Sequence, residues 1–213
     1  MEQQIIIIIA LIASIVLHEM AHGYAANWLG DPTARLQGRL SGNPLVHLDP
    51  LGSVIIPIIL WLSLFPGGFL FGWAKPVPYN PYNLSDQKYG EAKVAAAGPA
   101  VNILLAIIFA GLIRLSVELG LPSSFIELSS FIVYINILLA FFNLIPLPPL
   151  DGSKIILAFL PFGVAMKYRE FTRLIERYSL FATFVFIFIF VIFVQISQLV
   201  WAVFTLLTGT HFP

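Results

Sequence analysis

The residues best able to do chemistry lie near the start of the chain, in the run His18-Glu19-Met20-Ala21-His22. In a helix, positions four apart share a face, so both imidazoles of this H-E-x-x-H pattern can reach one metal ion. The glutamate between them points to the side, where it can take a proton from a metal-bound water. The run predicts a hydrolytic metal site with His18 and His22 as ligands and Glu19 as general base.

The setting of this run strengthens the interpretation, because the surrounding segment is apolar enough to enter a membrane. An ionisable side chain at bilayer depth costs at least about 2.5 kcal/mol, so such residues are functional by default. The alternative, polar residues that merely face the interior of a helix bundle, is weak for the same reason.

A third protein ligand must come from elsewhere, since a catalytic zinc ion takes three protein ligands and keeps one position for water or substrate. The chain has no cysteine. The remaining candidates are His47, His211, Asp31, Asp49 and Asp151. Asp31 and Asp49 lie in predicted loops, where turn chemistry is the commoner role of aspartate. Asp151 follows an apolar span in a proline-broken stretch that needs protein or a water-filled cavity around it. It is therefore well placed to meet a metal, with capping of a short helix from Gly152 as the alternative.

The composition predicts the class of protein that holds these residues. Hydrophobic residues make up 59% of the chain and charged residues 10%, against roughly 25% charged in ordinary globular domains. The formal net charge is zero, so charge indicates no nucleic-acid partner. Without cysteine, disulfides, cysteine-rich metal sites and a cysteine nucleophile are excluded. We expect an all-α integral membrane protein, a polytopic helical bundle that forms one membrane-embedded domain over residues 1–213.

Apolar runs predict where the chain crosses the lipid bilayer. Spans are expected at about residues 5–29, 94–117, 125–146 and 178–207. The last run would be about 45 Å long as a helix, so it must tilt or break into two short spans. Residues 51–73 are interrupted by proline and glycine and are interpreted as a re-entrant hairpin. Short surface strands or turns are expected between residues 31 and 50.

The distribution of lysine and arginine predicts the orientation. If residues 51–73 enter and leave on one side, ten of the basic residues share one membrane face and only Arg114 lies on the other. A full crossing would split the basic residues and would put Asp151 at the opposite face from His22. The positive-inside rule therefore favours the hairpin, with the motifs toward the cytoplasmic side.

Several motifs, taken in order, resemble the site-2 protease family of intramembrane zinc metalloproteases. Gly98-Pro99-Ala100-Val101-Asn102 opens one span, and Asn143-Leu-Ile-Pro-Leu-Pro-Pro-Leu-Asp151-Gly152 ends another. His47-Leu48-Asp49-Pro50 and Gly72-Trp73-Ala74-Lys75-Pro76-Val77-Pro78 resemble signatures of a compact prokaryotic branch without PDZ or CBS domains. The similarity runs from about residue 14 to residue 160.

The resemblance implies a three-span catalytic core with one zinc ion per chain, held by His18, His22 and Asp151, and a water activated by Glu19. The implied substrate is a transmembrane helix of another protein, cut within the bilayer of a prokaryotic inner membrane near the cytoplasmic side. Asn102 and Asn143 would bind unwound substrate or support the transition state. Hydrogen bonding between helices is the alternative role for both asparagines.

Two other functions use the same residues. An ion transporter or channel could employ the two histidines and Asp151 as an ion site, but it would have no need for Glu19 as a base. A catalytically inactive scaffold that binds membrane helices would not need the complete set of ligands and base.

Overall fold

The fold was analysed in a computed structural model, which describes residues 2–47, 49, 75–116, 118–177 and 196–210. Within these ranges the protein is helical and contains no strand. The helices are Glu2–Trp28, Thr33–Leu36, Gly90–Arg114, Ser123–Asn143, Asp151–Leu157, Phe162–Arg177 and Ile196–Thr208. Two 3-10 turns, Pro44–His47 and Pro81–Asn83, interrupt the loops.

Three of these helices are long and apolar enough to cross a membrane. We call them the first span (Glu2–Trp28), the second span (Gly90–Arg114) and the third span (Ser123–Asn143). Helices suit the bilayer because they satisfy their backbone hydrogen bonds internally. The prediction of an all-α integral membrane protein with a three-span core is confirmed.

The second span packs against both of the others. Small residues on one face, Ala106 and Ala110, are almost fully buried against Val133 and Ile137 of the third span. Alanine lets helix backbones approach closely, which is how membrane helices gain packing energy. The helix Ile196–Thr208 closes this cluster with buried side chains of its own. Residues 178–195 of the predicted last span lie outside the described residues.

The end of the first span and the start of the second lie side by side. The backbone N–H of Ser85 donates to the oxygen of Leu29 at 2.7 Å. The N–H of Lys75 donates to the backbone oxygen of His47 at 2.8 Å, so residues 47 and 75 are neighbours in space. One-sided entry of the predicted hairpin is consistent with these contacts, but residues 51–73 themselves lie outside the described residues.

The surface strands expected between residues 31 and 50 are not found in the part of that range that the structure describes. The helix Thr33–Leu36 and the turn Pro44–His47 are present instead. Pro32 is the N-cap of the first, and Pro44 begins the second. Proline fixes φ near its helical value and has no N–H for a strand ladder, so it favours a helical turn over a strand at these positions.

The topology can be tested with single cysteines, since the native chain has none. We expect Gly42→Cys and Lys88→Cys to react with a membrane-impermeant maleimide from the same side of sealed vesicles. Leu119→Cys, in the exposed loop between the second and third spans, should react from the other side. Labelling of positions 42 and 88 from opposite sides would contradict the arrangement.

Candidate metal centre

The three side chains with metal-ligand chemistry meet between the spans. His18 and His22 lie one turn apart on the first span, and their Nε2 atoms are 3.1 Å apart. The Oδ2 atom of Asp151 lies 3.2 Å from the Nε2 atom of each histidine. The structure thus brings together the three residues that the sequence motifs singled out.

Gly98 of the second span makes room for the two imidazoles. A Cβ atom at this position would lie 2.5 Å from His18 Cε1 and 2.5 Å from His22 Nε2. Those separations are far inside van der Waals contact, so a larger residue would displace the imidazoles. The glycine of the Gly98–Asn102 motif therefore has a direct steric role at the site.

Asp151 reaches the histidines because the chain turns sharply after the third span. That span ends at Asn143, and the helix Asp151–Leu157 begins seven residues after Leu144. At Gly152, a Cβ atom would lie 2.3 Å from the backbone oxygen of Leu144, so the turn can fold this tightly only with glycine there. Leu150 occupies the N-cap position, and no side-chain hydrogen bond caps the helix.

The hydrogen-bond partners define which atoms can receive a metal. His22 Nδ1 lies 2.7 Å from the backbone oxygen of Val94. A carbonyl oxygen only accepts, so Nδ1 carries the proton and Nε2 presents a lone pair. His18 Nδ1 lies 2.5 Å from Asn102 Oδ1 in the same way. Asp151 Oδ2 is buried without a hydrogen-bond partner. Three acceptor atoms therefore face one another, an arrangement that a bound cation would satisfy.

The other candidates for a third ligand lie elsewhere. The Nε2 atom of His47 lies 2.8 Å from a backbone oxygen of its own loop. Asp31 accepts a hydrogen bond from the N–H of Asn80, which lies in a different loop. Among the described residues, the group of His, Cys, Asp and Glu side chains that could hold a metal comprises the two histidines and Asp151. Asp49 is not part of it, and His211 lies outside the described residues.

Glu19 borders a small polar cavity of about 150 Å³ next to the histidines and Asp151. The backbone N–H of Val77 donates to Glu19 Oε2 at 3.0 Å. Asn143 also lines the cavity, and its Nδ2 atom donates to the oxygen of Leu139 in its own helix. Asn102 is fully buried behind His18. The two asparagines thus occupy different places, one at the cavity and one at the back of an imidazole.

The segment that supplies the Val77 N–H is held at both ends. Arg39 donates through its guanidinium to the backbone oxygens of Lys75, at 2.8 Å, and Pro76, at 3.2 Å. Asp31 is fully buried and accepts from the N–H of Asn80 at 2.6 Å. These contacts join the loop after the first span to the loop before the second, and they position a donor on Glu19.

Sequence reasoning missed the longer-range part of this arrangement. It predicted turn chemistry for Asp31, and Thr33 indeed donates to the carboxylate from its hydroxyl and its N–H. The bonds from Asn80 and Asn83 cross about fifty positions of sequence. The one available signal was an aspartate followed by proline and threonine, which indicates a turn but no distant partner.

Comparison with known proteins was consistent with this site. The model of peptidase family M50, the site-2 protease family, matches residues 6–127 and 118–190. The chain belongs to peptidase family M50. The sequence-based resemblance is therefore confirmed.

Relatives in this family carry names that agree with a metalloprotease. "Putative zinc metalloprotease YwhC" of Bacillus subtilis is 38% identical over 77% of this chain and 73% of its own length. "Putative zinc metalloprotease Rip2" of Mycolicibacterium smegmatis is 30% identical over 70% of this chain, which spans about half (54%) of that relative. "Putative zinc metalloprotease MJ0611" of Methanocaldococcus jannaschii is 30% identical over 71% of this chain and 69% of its own length. No solved structure gives a significant match.

Family membership favours a hydrolase over the ion-transporter alternative. The family and the names of its members support a zinc metalloprotease, and the three apolar spans support an integral membrane protein. The His18–His22–Asp151 group is compatible with the zinc that those names imply.

The charge of Asp31 makes a prediction about pH. Burial by itself would raise the pKa of Asp31, but hydrogen bonds from Thr33, Asn83 and Asn80 outweigh it and hold the pKa below the usual aspartate value. A lowered folded-state pKa stabilises the fold above the unfolded value, about 4, and this contribution is lost as the pH falls through the folded value. As the pH falls below about 4, the midpoint temperature of thermal unfolding should therefore fall more steeply in the wild type than in Asp31→Asn. Equal slopes in the two proteins would contradict the assignment, because all other carboxyl groups are common to both.

Proposed function

We propose that this chain is an intramembrane zinc endopeptidase that hydrolyses a peptide bond in the transmembrane helix of another membrane protein. The observation that carries the proposal is the convergence of three acceptor atoms, on one buried and two partly buried side chains, beside Glu19 inside a bundle of membrane spans. His18 lies ten residues before the end of the first span, about 15 Å along the helix axis. A peptide bond cut at this site would therefore have to enter the bundle.

The proposed metal ligands are His18, His22 and Asp151, with one zinc ion per chain. The donor set suits zinc, since two imidazoles and a carboxylate are ligands found in catalytic zinc sites. When bound, the ion would lower the pKa of its water toward about 7 and polarise the scissile carbonyl. The rest of the chemistry belongs to residues of this chain.

Glu19 is the proposed general base and acid. Its carboxylate would take the proton of the attacking water and pass it to the leaving nitrogen. The N–H of Val77 holds one carboxylate oxygen, so the group is oriented before the substrate arrives. A substrate helix must unwind locally, because its peptide carbonyls are otherwise occupied by helical hydrogen bonds.

The two asparagines have separate proposed roles. Asn143 lines the cavity, which supports a part in binding unwound substrate or the transition state. Asn102 faces the back of His18, which supports a part in holding the metal ligand. Outer contacts of this type orient ligating histidines and fix their tautomer.

The proposed orientation puts the cavity toward the cytoplasm. Lys154 lines the cavity. Lys88 and Lys93 lie near the start of the second span, which is the end of that span next to the cavity. The positive-inside rule assigns such a basic end to the cytoplasmic face. Water would reach the site from this side of a prokaryotic inner membrane.

The role of Glu19 can be tested with Glu19→Gln, which keeps the size of the side chain but removes its basicity. We expect proteolysis to fall by at least about 100-fold, because positioned acid–base groups contribute factors of this size. Zinc content, measured by elemental analysis of the purified protein, should stay near that of the wild type. Membrane proteomics should then show uncut or partly processed substrates accumulating in the variant. Undiminished proteolysis by the variant would remove Glu19 from the mechanism.

The role of Asp151 can be tested by comparing Asp151→Ala with Asp49→Ala, a carboxylate outside the site. Asp151→Ala should lower zinc content and activity together, whereas Asp49→Ala should keep its zinc. Asp151→Asn should retain part of the zinc, because an amide oxygen is a weaker ligand than a carboxylate. Full zinc content in Asp151→Ala would show that the third ligand is another residue.

A further inference from the structure

A continuous line of buried polar side chains runs from His18 through all three spans. Asn102 of the second span contacts His18, and its Nδ2 atom lies 2.8 Å from Asn136 Oδ1 of the third span. Asn136 Nδ2 lies 2.9 Å from Ser14 Oγ of the first span. Ser14 Oγ in turn donates to the backbone oxygen of Ala10 at 2.8 Å. Both asparagines are fully buried, and Ser14 is 3% exposed.

The direction of every hydrogen bond in this line can be assigned by starting from the backbone oxygen of Ala10. The oxygen of Ala10 can only accept, so the Ser14 hydroxyl proton points to it and Ser14 Oγ is left to accept. Asn136 Nδ2 also lies 2.8 Å from the oxygen of Ile132, another obligatory acceptor. The Asn136 atom between these two acceptors must therefore be the amide nitrogen, which excludes the flipped amide.

The remaining bonds then have a single solution. Because Asn136 presents its oxygen to Asn102, Asn102 must present its amide nitrogen there and its own oxygen to His18. That oxygen requires a proton on His18 Nδ1. Neutral His18 consequently keeps a free lone pair on Nε2, the atom that faces Asp151 and His22.

We propose that Asn136, with Ser14, is a positioning residue that sets the tautomer of His18 through Asn102 and so prepares Nε2 to bind the metal. His22 obtains the same state directly from the oxygen of Val94. At His18, the acceptor is a side-chain amide that could turn either way by itself, and the bonds to Ile132 and Ala10 remove that freedom. The proposal rests on the proposed zinc role of His18.

The test uses protein labelled with 15N in its histidine rings, of which the chain has four. The 15N NMR chemical shifts of the ring nitrogens distinguish imidazole protonated on Nδ1 from imidazole protonated on Nε2. They are recorded without metal at alkaline pH, where free imidazole is neutral. Wild-type His18 should carry its proton on Nδ1. A wild-type proton on Nε2 of His18 would overturn the proposal without any variant.

Asn136→Leu removes the link and keeps a side chain of similar size. We expect His18 to become a mixture of tautomers, while His22 is unchanged, and zinc affinity measured by chelator competition to fall about tenfold. Asn136→Asp should restore the wild-type tautomer and an affinity within about threefold, because a carboxyl oxygen accepts from the Asn102 amide nitrogen whether or not the group is ionised.

Ser130→Ala is the matched control. Ser130 lies on the same span and also donates to the carbonyl four residues earlier, Ile126, but it has no part in the line to His18. It should change neither the tautomer nor the zinc affinity. An unchanged His18 in Asn136→Leu, or an equal effect of Ser130→Ala, would show that Asn136 serves helix packing only. If wild-type protein has the expected tautomer but binds no zinc, the proposed function fails while the tautomer assignment stands.

Discussion

The structure depends on one electrostatic constraint, which is that three lone pairs face one another at a largely buried site between the spans. His18 Nε2, His22 Nε2 and Asp151 Oδ2 lie within 3.2 Å of one another, and the partners on the far side of the imidazoles leave no proton between them. Like-polarised atoms buried without a compensating donor or cation are costly. A cation removes that cost, and the neighbouring backbone is shaped around the group: Gly98 makes room beneath the rings, and Gly152 lets the turn bring Asp151 over them.

The membrane explains why the polar groups inside the bundle are joined to one another. Lipid offers no hydrogen-bond partners, so a polar side chain in a span must find its partner within the protein. Asn102, Asn136 and Ser14 come from three different spans and satisfy one another in a single line. The same bonds join the three spans and orient His18, a proposed metal ligand, so helix packing and the candidate site use the same contacts.

The loops at one end of the bundle position the carboxylate of Glu19. Glu19, the proposed general base, lies on the first span, but its hydrogen-bond donor is the N–H of Val77, nearly sixty residues later. Arg39 and Asp31 tie the segment around Val77 to the loop that follows the first span. Glu19 and the loop that orients it therefore form one unit.

The sequence by itself determined the features that depend on composition or on neighbours within one helical turn. The apolar runs determined the three spans, and the four-residue spacing of His18 and His22 determined their common face, because both follow from helix geometry and hydropathy. The loop after the first span was predicted less well. Where short strands or turns were expected, the described part of residues 31–50 has a short helix after Pro32 and a 3-10 turn from Pro44. Only the tertiary structure decided that Asp151 meets the histidines, that Asn136 lies behind Asn102, and that Asp31 holds Asn80. Those partners are from 34 to 133 positions apart, and contacts over such separations depend on how whole helices pack, which no local pattern of residues encodes.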